Sequence, residues 1–325
     1  MRNMSGTLVF FFAALLGLID GAPVIAQSEY PKSYIRLLVP YSAGGLADTF
    51  ARGFSNELAK GLGQPIVIEN RPGANTMVGA AACANSPPNG YTLCLLPIDA
   101  LSYAPYLTEK LLYDPVSSFE PITPLYIVTE TIVVNPALKV NSLAELVALS
   151  KSNPEGLNYA APASAQFLFM ENFKKDTGAR LTFIPYKSGG EAALAVLKGD
   201  VQVGMFGIGN VVGQLKDGTV KPLAVNSPKR SPLLPETPTI EESGYHVLNR
   251  SWFGLFMPAG TSKPIIARIH EEVTRAVNNP EVQEKYYRGL ALEPDLLTPA
   301  DFAAFLLKDR AIAEGMVKDS GLKPE

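Results

Sequence analysis

The side chains able to do chemistry in this chain are few, and their spacing points to capture of an anion rather than to bond making. His246 and His270 are the only imidazoles, and His270 stands beside Glu271 and Glu272 on a polar helical stretch that reads as a solvated face. No G-x-S-x-G elbow, H-E-x-x-H pair or P-loop is present. With Cys83 and Cys94 as the only cysteines, an all-cysteine metal site is ruled out, and neither metal nor cofactor is expected. The pair has two readings, a disulfide joining the helix at 76–84 to the strand at 91–96, or two small buried hydrophobes. What remains is Tyr41-Ser42-Ala43-Gly44-Gly45, placed between an apolar run and a helical one. Glycine lets backbone approach a ligand closely, and the free amides of a helix start favour a carboxylate or phosphate. Asp48, in the first helical turn, would complement the helix dipole and cap amides, so it reads as a shaper of the loop before a ligand contact.

The elements that must hold this turn are legible in the apolar pattern. Residues 35–39 read as a strand, and Phe50, Phe54 and Leu58 recur every fourth residue on one helical face before Gly61 and Gly63. A strand at 65–69, a helix at 76–84 and a strand at 91–96 follow, an alternation that argues for a parallel sheet covered by helices. The pattern returns downstream, where residues 181–184 lead into Pro185-Tyr186-Lys187-Ser188-Gly189-Gly190 and an apolar helix. This echo is read as two α/β lobes of similar build, each aiming a helix start at a shared cleft. Tyr41 and Tyr186 are candidate cleft walls. Gly207-Ile208-Gly209 imitates a dinucleotide fingerprint, but Gly213 comes one residue late. We read it as a turn after the strand ending at Phe206, where ligands sit in open α/β sheets. Extended runs at 125–134 and 252–257 would carry the chain between lobes and serve as a hinge. The expected domains are residues 27–124 with 253–325, and residues 125–252.

A chain of 325 residues, 47% of them hydrophobic, fills two such cores, and a net charge of -3 without a basic stripe argues against nucleic acid. Residues 1–26 read as a secretory signal peptide: Arg2 precedes a run at 7–19 that is almost wholly apolar, and Ala22-Pro23-Val24-Ile25-Ala26 offers small residues for cleavage. Asp20 cuts the run short of the roughly 20 residues needed to span a bilayer. The mature chain is therefore expected to be exported and soluble.

Taken in order, Val39-Pro40-Tyr41-Ser42-Ala43-Gly44-Gly45 with Asp48, Val67-Ile68-Glu69-Asn70-Arg71-Pro72-Gly73-Ala74 and Asn89-Gly90-Tyr91-Thr92-Leu93 resemble the Bug-type extracytoplasmic receptors of tripartite tricarboxylate transporters. The likeness continues through Tyr113-Asp114-Pro115, Ile184-Pro185-Tyr186-Lys187, Pro238-Thr239-Ile240-Glu241-Glu242 and Gly254-Leu255-Phe256-Met257-Pro258-Ala259-Gly260. The resemblance implies a type II periplasmic-binding fold, a monomer whose two lobes close on a carboxylate and deliver it to a membrane permease. It assigns ligand binding to Tyr41, Ser42, Ala43, Gly44 and Asp48 on one side. On the other it assigns Ala161, Pro162, Ala163 and Ser164, and Ile98, Tyr186 and Phe206 are further candidates.

Departures from the family pattern bear on the ligand. Leu46 and Ala47 stand where hydroxyls are common, and Ala163, Ser164, Ala165, Gln166 and Phe167 replace a loop usually rich in hydroxyls with a His. The loop after the 91–96 strand reads as apolar around Ile98, Ala100 and Leu101. A second carboxylate would be poorly satisfied there, and a buried unpaired charge is costly. The expected ligand carries one carboxylate on an apolar or aromatic body. Alternative roles are a sensor engaging a membrane receptor kinase, or an exported enzyme acting on a carboxylate.

Overall fold

The computed structural model describes residues 30–186, 189–246 and 250–324. The signal-peptide reading of residues 1–26, and Lys187 and Ser188 of the second glycine turn, lie outside the described residues.

The first stretch alternates as read: β1 (Ile35–Val39), α1 (Leu46–Leu62), β2 (Ile66–Asn70), α2 (Met77–Ala84) and β3 (Thr92–Pro97). Phe50, Phe54 and Leu58 are buried along one side of α1, each side chain contributing about 1.5–3 kcal/mol by leaving water. Gly63, at φ 68°, ends the helix in the left-handed conformation that glycine adopts without strain. A π-helical turn at Asp99–Tyr103 runs into α3 (Ala104–Leu107). Cys83, near the end of α2, and Cys94 in β3 form a disulfide with the Cα atoms 6.1 Å apart.

The chain then runs through β4 (Phe119–Val128), turns at Thr129 and enters β5 (Glu130–Val134), which pairs in a different sheet. There follow α4 (Leu143–Ser152), β6 (Leu157–Ala160), α5 (Ser164–Thr177), β7 (Leu181–Phe183), α6 (Gly189–Lys198), β8 (Val203–Gly207), α7 (Ile208–Lys216) and β9 (Lys221–Asn226). Finally β10 (Trp252–Pro258), α8 (Lys263–Val277), α9 (Pro280–Val282), β11 (Leu292–Pro294) and α10 (Pro299–Ser320) return to the first sheet and its helical cover.

The two sheets have the orders β11-β4-β10-β3-β1-β2 and β7-β6-β8-β5-β9. In the first, β2, β1 and β3 are parallel and β10 joins antiparallel. In the second, β7, β6 and β8 are parallel and β5 joins antiparallel. Each lobe thus winds strand, helix, outer strand, helix, inner strand, so β6 is the counterpart of β1, β7 of β2 and β8 of β3. This is the two-lobed α/β architecture of periplasmic binding proteins.

The topology corrects one detail of the sequence echo. The counterpart of the turn at 41–45 is the turn at 161–163 after β6, not Pro185-Tyr186, which follows the edge strand β7. Similar wording at 40–45 and 185–190 therefore marks non-equivalent places in the two lobes.

Candidate functional site

The helices that follow β1 and its counterpart β6 both start without a side-chain cap from their N-cap residue. Gly45 precedes α1 with extended backbone (φ -77°, ψ 173°), and Ala163 precedes α5 likewise (φ -129°, ψ 154°). The first amides of a helix have no acceptor within it, so each start offers N–H groups and positive potential. At the first turn only Gly44, at φ 84°, needs glycine for its backbone angle. Ser42, Ala43, Gly44 and Gly45 are exposed.

Asp48 is the organiser of this turn. Its Oδ2 accepts from the Gly44 amide and from Arg52 Nε, both at 2.9 Å, and its Oδ1 accepts from Asn70 Nδ2 at 2.9 Å. Asn70 also donates to the Tyr41 carbonyl at 3.0 Å, and Arg52 reaches Asn70 Oδ1 at 3.1 Å. Burial alone would raise the Asp48 carboxyl, but Arg52, the Gly44 amide and Asn70 together hold it below the usual carboxylate range. Its oxygens face the turn that it shapes.

An aromatic row backs the turn. The ring of Tyr41 lies 5.7 Å from that of Phe253 in β10, which stacks on Tyr126 at 4.8 Å, and Tyr126 meets Phe50 at 4.5 Å. Part of Tyr41 remains exposed, yet its phenol is enclosed, and burial, then Asp99 and Tyr126, push its pKa well above the ordinary value. The buried Tyr126 hydroxyl has no protein partner. Phe253 was missed in the sequence because it reads as one of many core residues in an extended run.

The lobes meet at two related crossings. Leu46, the first residue of α1, packs on Gly207 and Gly209 at the junction of β8 and α7: a Cβ on Gly209 would come within 2.7 Å of Leu46 Cδ1, and one on Gly207 within 3.4 Å of Leu46 Cδ2. The glycines of the imitation fingerprint thus make room for a neighbouring lobe, and Gly213 has nothing near it. At the other crossing Asp99, after β3, places Oδ1 3.1 Å from the Ala165 amide of α5, with the Ser164 amide also on it. Asn75 donates to Ser164 Oγ beside it. The loop after β3, read as apolar around Ile98, Ala100 and Leu101, is thus corrected: those residues are buried in the core, and the one between them carries the polar contact.

The remaining candidates are distributed unevenly. Pro162, Ala163 and Ser164 are half-buried at the α5 turn, while Ala161 and Ile98 belong to the two lobe cores. Phe206 is wholly buried with Val133, Ala160 and Val196, its ring lying over Gly204. Tyr186 packs on the margin of that same cluster, and burial, then Asp200, raise its phenol. The structure brings Tyr41, Ser42, Ala43, Gly44 and Asp48 together at α1 and Pro162, Ala163 and Ser164 together at α5, while Phe206 and Tyr186 share the cluster of β6, β8 and α6. A groove of about 560 Å³ lies elsewhere, between α4, α5 and the segment of Tyr245 and His246, and holds none of these residues. Among the described residues no group of His, Cys, Asp and Glu is arranged to hold a metal, and no helix is long and apolar enough to cross a membrane.

A family model described as the tripartite tricarboxylate transporter family receptor, TctC, matches residues 50–322. The chain belongs to that family. Among curated relatives, protein BugT of Bordetella pertussis is 34% identical over 99% of both chains. Among solved receptors, an R. palustris protein with adipate superposes with a TM-score of 0.86 at 29% identity, covering 91% of this chain and 100% of its own. MatC from Rhodopseudomonas palustris with bound malate gives 0.79 at 28%, covering 89% and 100%. This TctC receptor therefore shares the periplasmic-binding fold with proteins solved around small carboxylates, and the Bug-type resemblance of its sequence holds over the chain.

Proposed function

We propose that this receptor captures a small organic acid between its lobes in the periplasm and hands it to a tripartite tricarboxylate-type permease, without chemical turnover. The observation that carries the reading is the α1 turn: its own carboxylate, Asp48, is turned inward onto Gly44, Asn70 and Arg52, leaving the uncapped helix start for an incoming anion. The lobe of β5 to β9 moves against the lobe of the first sheet, hinged at Thr129 and ahead of Trp252; because β4 stays paired in the first sheet through Val128 and β10 begins at Trp252, the boundary read at 125 in the sequence shifts to Thr129. The ligand carries one carboxylate on an apolar or aromatic body, which Tyr41 and Phe253 are suited to flank. A clamped carboxylate with a small apolar body can supply the about -8 kcal/mol of micromolar binding.

The test is a thermal-shift and calorimetric panel of monocarboxylic and aromatic acids, aliphatic dicarboxylates, tricarboxylates and amino acids. A ligand of the folded state at a hundredfold its Kd stabilises by about 2.7 kcal/mol, which reads as a higher Tm. We expect shifts with aromatic or monocarboxylic acids. Preference for citrate or glutamate would discard the ligand class while keeping the receptor, and recovery of a chemically altered acid would replace the receptor with an enzyme.

A further inference from the structure

The two crossings between the lobes are topologically equivalent but chemically opposite. At α1 the neighbouring lobe presents Gly207 and Gly209, which receive the Leu46 side chain, while Ser42, Ala43, Gly44 and Gly45 ahead of it stay exposed. At α5 it presents the buried Asp99 carboxylate, seated on the Ala165 and Ser164 amides as an anionic ligand would be. A second carboxylate lies nearby. Glu130, also buried, accepts from Ser251 Oγ at 2.7 Å and Asn226 Nδ2 at 3.1 Å, with the Gln166 amide also on it. Gln166, in the first turn of α5, keeps a buried Oε1 that has no partner. Among the described residues neither acid forms an ion pair. Both acids are thus buried among donors of their own chain, and the Ala165 and Ser164 amides are already taken.

Resting on the receptor reading above, we propose that Asp99 sets the number of carboxylates the ligand carries at one: the chain's own side chain occupies the position that the second carboxylate of a diacid would need. An arriving diacid would have to displace Asp99 from the α5 amides and leave a further acid in a desolvated place that disfavours charge, whereas a monoacid meets only the exposed α1 turn. Asp99 is thus a specificity-determining residue acting by exclusion.

The experiment compares matched acids, butyrate with succinate, hexanoate with adipate and benzoate with terephthalate, by calorimetry on the wild type, Asp99→Ala and Asp99→Asn. The wild type is expected to favour the monoacid by about tenfold or more in whichever pair it binds. Asp99→Ala vacates the amides and should shift that ratio toward the diacid by about tenfold. Asp99→Asn keeps an acceptor of the same shape and removes the charge, so it guards against a folding failure of the alanine variant and should shift the ratio the same way by about threefold. A change in overall affinity that leaves the ratio fixed in both variants would mark Asp99 as merely structural and overturn the inference. Equal binding of both acids by the wild type would overturn it too, with the receptor reading intact. Binding of no acid in any pair would overturn this inference, while the receptor reading stands or falls on the wider panel above.

Discussion

At Asp48 a carboxylate stands in the first turn of the helix whose start we propose receives an anion, and it is no obstacle to one because both its oxygens are engaged. Arg52, Asn70 and the Gly44 amide define the turn through it. Asp48→Asn keeps the shape but turns an amide toward Arg52, so we expect a loss of about 2 kcal/mol of stability by chemical denaturation and weaker acid binding. The sign with pH follows from the depressed carboxyl: its contribution is present above the ordinary carboxylate range and fades as the solution is acidified through the lower folded value. Asp48 was legible because helix position alone assigns it a capping role. Asp99 was not, since a lone acid between Ile98 and Ala100 gains its meaning from Ala165, 66 residues away.

Between elements, α1 is tied to α8 by charge rather than by apolar packing alone. Glu57 accepts from Lys60 at 2.8 Å and from Arg275 at 2.9 Å, and Arg275 and Arg268 each also bind Glu272 at 2.7 Å. Hydrogen bonds from Lys60 and Arg275 lower the Glu57 carboxyl from 4.5 to about 2. A depressed acid stabilises above its unfolded value and loses that contribution as pH falls through the folded one. Denaturation midpoints of wild type and Glu57→Gln should therefore differ most at neutral pH and converge as pH falls from 4.5 to about 2; a gap that persists at the acid end would contradict this account. Strand and helix positions could be read because apolar periodicity is local. Sheet order is not local, so the echo at 185–190 misled about which turns correspond. The three-residue β11 and the π-helical turn at Asp99–Tyr103 are too short for a periodic signal.

For the molecule as a whole, the closure we propose depends on how near Leu46 and Leu290 can come to the junction of β8 and α7. A Cβ at Gly209 would meet the Leu290 carbonyl at 2.6 Å, and that backbone atom cannot swing aside as a leucine side chain can. Gly209→Ala is expected to weaken acid binding by about tenfold while each lobe keeps its far-UV circular dichroism. Gly213→Ala on the same helix, with open space around it, should bind as the wild type does. The exchange of residues between lobes at two equivalent crossings makes the closed form a specific arrangement, so small changes there are felt as ligand affinity rather than as loss of fold.

The bond between Cys83 and Cys94 has a consequence for the history of each chain. Two cysteines admit a single pairing, so oxidation within one molecule has no wrong product to escape from. Both sulfurs belong to residues sealed from solvent once α2 lies against β3. The only competing product is a bond between two chains, and the interval for it closes when the first lobe packs. A disulfide-linked dimer, wherever it arises, is the trace of molecules that met before either had folded.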